Sequence, residues 1–87
     1  MKPALSAKVR LRWDTRACAF MLIAPERGLV LDEPAARVAK LCDGTRTIEE
    51  IAGVLANEYD GDVAQIAHDV EYFLGQLAMR GLLRVDP

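Results

Sequence analysis

A chain of 87 residues, 52% of them apolar, has room for one compact domain with one core and little for a deep pocket. Its net charge of −2 is bipolar: residues 1–46 hold nine Lys or Arg against five Asp or Glu, a balance of +4, and residues 47–87 hold two against eight, a balance of −6. The sequence has no bilayer-spanning apolar run, no signal-peptide pattern, no cysteine framework and no C-x-x-C or H-x-x-x-H spacing, which points to a cytoplasmic chain without metal or bound cofactor.

Residues 1–7 read as a flexible N-terminal tail and residues 8–87 as the domain. Lys8 to Trp13 alternates, with Val9, Leu11 and Trp13 on one side and Lys8, Arg10 and Arg12 on the other, the period of a strand with one solvated face. Asp14-Thr15-Arg16 supplies a turn, and Cys18 to Ala24 is apolar on both faces, so the second strand is central or covered. Pro25-Glu26-Arg27-Gly28 breaks the run and Leu29-Val30-Leu31 resumes it as a short edge strand, giving a three-stranded antiparallel meander. Cys18 and Cys42 are expected to be buried thiols.

Asp32 is placed to cap a helix with Pro34 in its first turn and Ala35, Val38, Ala39 and Cys42 facing inward; Asp43-Gly44 ends it. Thr47 and Glu50 have capping-box spacing before a second helix whose stripe is Ile48, Ile51, Ala52, Leu55 and Tyr59. After Asp60-Gly61-Asp62 a third helix runs from about Val63 to Arg80, with Val63, Ile66, Ala67, Val70, Phe73, Leu74, Leu77 and Ala78 on its broad apolar face and Gly81 as its stop. Leu82, Leu83 and Val85 are expected to tuck back on the core. The order β-β-β-α-α-α defines an α+β domain, winged helix-turn-helix-like, with a three-stranded antiparallel sheet followed by three helices.

Catalysis finds little support. His68 stands mid-helix beside Asp69, no serine or cysteine has a base at a known spacing, and Asp69 and Glu71, two apart on a helix, point in different directions. Nucleic-acid binding would need a basic last helix, whereas this one offers Asp69, Glu71 and only Arg80, and the second helix adds Glu49, Glu50 and Glu58. Arg10, Arg12 and Arg16 lie on the first hairpin, as a solvated edge or a partner patch. Leu29 to Leu31 lacks the inward charge or proline that protects an edge, so it either accepts an added peptide strand or lies under the third helix. Pairing with a second copy, as a homodimer, is open to the same edge. A subunit that completes another enzyme's site is a further reading.

Several segments together resemble one family: Val9 to Asp14, Leu22-Ile23-Ala24-Pro25-Glu26-Arg27, Leu31-Asp32-Glu33-Pro34-Ala35, Leu41-Cys42-Asp43-Gly44-Thr45-Arg46-Thr47 with Ile51, and Leu77-Ala78 with Arg80-Gly81-Leu82-Leu83. They are similar to PqqD of pyrroloquinoline quinone biosynthesis over about residues 8–84, most specifically at Ala24 to Arg27 and Asp43 to Thr47. The resemblance implies a RiPP recognition element, a peptide chaperone that binds the precursor peptide PqqA and delivers it to the radical SAM enzyme PqqE, which joins a Glu and a Tyr side chain within that peptide. It implies no bound cofactor and neither nucleic acid nor membrane as partner. In relatives of this fold the peptide adds as a strand beside the third strand and packs on the third helix. Carried over, this marks Leu29, Val30 and Leu31 for backbone pairing and Ile66, Asp69, Val70 and Phe73 as the facing wall.

Overall fold

The computed structural model describes residues 2–84. Its elements run β1 (Ala4–Leu5), β2 (Arg10–Asp14), β3 (Ala19–Ala24), β4 (Arg27–Leu31), α1 (Glu33–Leu41), α2 (Ile48–Tyr59), α3 (Val63–Met79) and β5 (Leu83–Arg84). The expected meander forms, antiparallel in the order β2-β3-β4. Alternation along the strands sends Leu11, Leu22 and Leu29 to one face, directly opposite one another, and Arg12, Met21 and Val30 to the other. Leu22 is fully buried on the helix side, together with Ile51 of α2 and Leu77 of α3. Each such aliphatic side chain contributes about 1.5–3 kcal/mol by leaving water.

The helices start where the capping residues stand. Asp32 accepts from Ala35 N at 2.9 Å with Pro34 in the first turn, and Thr47 and Glu50 close a reciprocal capping box (Glu50 N to Thr47 Oγ1 3.1 Å, Thr47 N to Glu50 Oε1 2.8 Å). Asp60, in the left-handed region at φ 54°, ends α2, and Asp62 caps α3 two residues later. α3 ends at Met79, with Arg80 as its cap and Gly81 at φ 71° turning the chain, as a glycine there permits. α2 and α3 pack together while α1 lies on the sheet, so the winged-helix likeness is confined to a helix pair beside a small sheet.

The structure departs from the sequence reading in the N-terminal segment, at Cys18 and at several side chains expected to face inward. Within the segment read as a tail, Ala4 and Leu5 pair antiparallel with Arg84 and Leu83, and Ser6 N donates to Leu82 O at 2.9 Å. Pro3 is fully buried, and its carbonyl accepts from Gly44 N at 3.0 Å. A two-residue strand has no period to detect, so its pairing is set by the tertiary fold alone. Cys18, expected to be buried, is exposed, because it sits at φ 51° closing the β2–β3 turn, with β3 starting one residue later. Tyr59 and Val63, placed on inward stripes, are exposed, each the terminal residue of its helix beside the Asp60–Asp62 turn, and Trp13 and Ala78, also read as inward, are exposed near the ends of β2 and α3. Leu82 is buried and Leu83 packs against the core as expected; Val85 lies outside the described residues.

Candidate functional site

Among the described residues the outer edge of β4 is open: β5, the chain's return after α3, pairs with β1, and β4 is bonded to β3 alone. The two-residue Pro25-Glu26 connection makes Ala24 and Arg27 the closing pair of the hairpin, so Arg27, Leu29 and Leu31 turn their N–H and C=O groups toward β3. Gly28 and Val30, alternating with them, turn theirs to the free edge. Val30 therefore offers a donor and an acceptor to any strand laid alongside, and its side chain, 57% exposed, stands on the sheet face away from the helices.

A groove runs in two adjoining stretches, the first between this edge and α3 and the second between α3, α1 and α2. Leu29, Val30 and Leu31 line the first with Tyr72, Phe73, Gln76 and Arg80 of α3. Ile66, Asp69, Val70 and Phe73 line the second, closed behind by Val38 of α1 and Leu55 of α2. Asp32, Ala35 and Phe73 belong to both; of the wall residues marked in the sequence only Phe73 lines the stretch with β4, while Ile66, Asp69 and Val70 line the adjoining one against α1 and α2. Leu31 and Val70 are buried and form the groove's floor, whereas Leu29, Ile66 and Phe73 are half-buried with faces left for a ligand. Asp69 is exposed at the rim and accepts from Gln65 Nε2 at 3.0 Å, one turn earlier on α3. The walls are mainly apolar with a few polar points, the composition of a surface that takes side chains while a strand edge holds the backbone.

The sequence reading did not mark the contributions of α1 and α2 or the α3 residues Tyr72, Gln76 and Arg80. Gln76 and Arg80 continue the helical face of Ile66, Asp69 and Phe73 by turns of three and four, a signal already in the sequence. Asp32, Ala35, Val38 and Leu55 reach the groove only through the placement of α1 and α2 against α3, which no local pattern encodes.

On the far side of α1 a second hollow lies between Trp13, Phe20 and Lys40. Trp13 and Phe20 meet edge to face at 5.2 Å, and Lys40 Nζ stands 4.1 Å from the centre of the Phe20 ring. Near it Arg37 holds Glu58 through two hydrogen bonds, Nε to Oε1 at 2.9 Å and Nη2 to Oε2 at 2.6 Å, which lower the Glu58 carboxyl below its usual range and tie α1 to α2. Among the described residues no cluster of His, Cys, Asp or Glu is arranged to hold a metal ion, and no helix is long and apolar enough to cross a membrane.

Comparison with known proteins places this architecture. Residues 20–83 match the family model of coenzyme PQQ synthesis protein D (PqqD). A PqqA binding protein of Xanthomonas oryzae pv. oryzae (strain PXO99A) is 45% identical over 84 residues, 97% of this chain and 91% of that protein. The solution structure of the PqqD truncation of Methylobacterium extorquens PqqCD, described as a functional, stand-alone RiPP recognition element, superposes with a TM-score of 0.84 at 41% identity, covering 95% of this chain and 88% of that one. Lasso peptide synthetase B1 complexed with its leader peptide shares the fold alone, with a TM-score of 0.83 at 14% identity over 98% of this chain and all of that one. By the family model and by identity across nearly its whole length, the chain belongs to the PqqD family.

Proposed function

We propose that this chain binds the precursor peptide PqqA as an added strand on the free edge of β4, with the peptide's inward side chains in the groove along α3, and presents it to the radical SAM enzyme PqqE. The open edge facing an apolar channel carries this reading. Relatives named PqqA binding proteins and a shared fold with a leader-peptide complex support it. Leu29, Val30 and Leu31 supply the backbone side of the site and Ile66, Asp69, Val70 and Phe73 the side-chain wall. On this reading the chain acts in the cytoplasm and does no chemistry itself. The DNA-binding alternative meets acidic helices: Glu49 and Glu58 on α2 and Asp69 and Glu71 on α3 repel phosphate.

Val30→Pro tests the strand addition. Proline deletes the N–H that points to the free edge and leaves the β3–β4 ladder intact, since Val30 contributes no bond to that ladder. A lost backbone bond together with the clash of the ring against an incoming strand should weaken PqqA binding roughly tenfold or more. Far-UV circular dichroism verifies folding, and fluorescence anisotropy with labelled PqqA gives the affinity. A folded variant that binds PqqA as the parent does refutes the strand addition.

A further inference from the structure

Among the described residues, charged side chains line the groove at three places, and they are sorted by sign along it. Asp32 and Asp69 border the second stretch without a cation beside them, and Arg80 borders the first. From the shared residues Asp32 and Phe73, the first stretch follows β4 back to Leu29 and α3 onward to Arg80, whereas the second follows α3 back to Ile66. The acidic end is thus where β4 runs into α1, and the basic end lies toward the β3–β4 hairpin. Asp32 Oδ1 accepts from Ala35 N at 2.9 Å and Asp69 Oδ1 from Gln65 Nε2 at 3.0 Å, contacts that hold both carboxylates in place without cancelling their charge. Arg80 Nη1 donates to Gln76 O at 3.4 Å, which lays the guanidinium back along α3. None of the three forms an ion pair among the described residues. Of the charges nearby, Arg37 and Lys40 line the hollow on the far side of α1, and Glu71 points to the other side of α3 from Asp69.

We propose that this polarity sets the direction and register of the bound peptide: the groove takes a strand with a basic side chain at Asp32 and Asp69 and, four or six residues later, an acidic side chain at Arg80. The inference rests on the strand-addition reading above and adds which peptide the groove selects. The neighbouring strands of this sheet are antiparallel, and antiparallel pairing is the more stable per residue, so the peptide runs against β4 and passes Asp32 before Leu29. Its N-terminal part then lies over the acidic end. Along α3 the rise from Asp69 to Arg80 is about 16 Å, at about 1.5 Å per residue. A strand covers that span in about five residues, and because side chains alternate, two that both face α3 are four or six apart. A lysine or arginine suits the acidic end. Its methylene stem lies on Ile66 and Phe73, both half-buried, while the charged head stays in water beside the carboxylates. The reversed peptide would set its acid against Asp69 and its base against Arg80, and the like charges disfavour it.

Asp69→Asn and Arg80→Gln in the full chain test the assignment, because each removes a charge and keeps a polar side chain at an exposed position; far-UV circular dichroism verifies folding. Anisotropy is read with labelled PqqA, and with PqqA peptides in which each Lys, Arg, Asp or Glu is replaced singly by Gln. Each protein variant should weaken PqqA binding roughly two- to fivefold at low salt, the loss shrinking as salt is raised. One basic peptide position should lose its effect in Asp69→Asn and one acidic position in Arg80→Gln. The basic position should stand nearer the peptide's N-terminus, four or six residues before the acidic one. Variants that bind PqqA as the parent does at low salt overturn the assignment, and weakened binding by Val30→Pro in the same assay leaves strand addition standing. A loss that salt does not change, the absence of any coupled position, or coupled positions in the reverse order overturns it as well. A parent chain that fails to bind PqqA, or a folded Val30→Pro that binds it unchanged, overturns the strand-addition reading instead.

Discussion

The thiol of Cys42 closes α1 among core side chains, and burial, followed by the adjacent Asp43 carboxylate, pushes its pKa up to about 12. Cys18 is exposed in the β2–β3 turn, where its Sγ donates to Thr15 O at 3.4 Å. A thiol reagent at pH 8 should therefore consume one thiol quickly in the native chain and the second only in denaturant, with Cys18→Ser removing the fast phase. The raised value also sets a direction with pH. The folded state disfavours the Cys42 thiolate, so its contribution to stability is complete below the unfolded pKa near 9 and is lost as pH rises toward 12. Urea titrations from pH 8 to 11 should show this decline, and Cys42→Ala should flatten it. Composition told the two thiols apart no better than a coin would. Both were expected inside because cysteines usually are, and the left-handed backbone at Cys18 that turns one outward is a property of the closed turn.

At the scale of elements, what the sequence made legible were features with a period or a cap. Alternation marks β2, apolar runs bounded by turn residues mark β3 and β4, and Asp32 and Thr47 with Glu50 mark two of the helix starts observed, whereas Asp62, read only as part of a break, caps the third. Thr47→Ala, which removes the acceptor for Glu50 N, should lower stability by about 1 kcal/mol. In a domain of this size that is a fall in Tm of about 4–8 °C. PqqA affinity should be unaffected, because the start of α2 lies away from the groove, and thermal denaturation with anisotropy checks both. The Glu50 carboxyl is held below its usual range first by the Thr47 N–H, so the cap's support is present above the unfolded carboxylate pKa and fades as pH falls. The two-residue strands β1 and β5 were not legible, nor was the use of α1 and α2 as groove walls. Both arise from contacts between distant segments, such as Leu5 N to Cys42 O at 3.2 Å. Of the site itself, the edge strand could be read from its unprotected apolar run and the α3 wall from its helical face, because each is a local pattern. Whether the edge lay under the third helix could not be decided locally; the groove between them answers it.

For the whole molecule, the free edge of β4 bears on self-association. Among the described residues no strand pairs with the free edge at Gly28 and Val30, the strand's one charge, Arg27, stands at the hairpin end and leaves Gly28 to Leu31 uncharged, and β5 is committed to β1 rather than laid over the edge. An edge of this kind pairs with any compatible strand, a second copy's β4 included. Two copies joined β4 to β4 about a twofold axis would form a closed, symmetric dimer and occupy the groups that PqqA is proposed to use. Peptide and copy should then exclude one another by mass action. Sedimentation velocity across a concentration series should show the dimer fraction rising with protein concentration, and saturating PqqA should return the population to a peptide-bound monomer. Val30→Pro should suppress both associations, because it deletes a donor both would share. Arg12→Glu, in the same row as Val30 but two strands away from the edge, should leave the monomer–dimer balance unchanged. A dimer that persists under saturating PqqA would place self-association on another surface, and a chain that stays monomeric throughout would show that the edge selects peptide over copy.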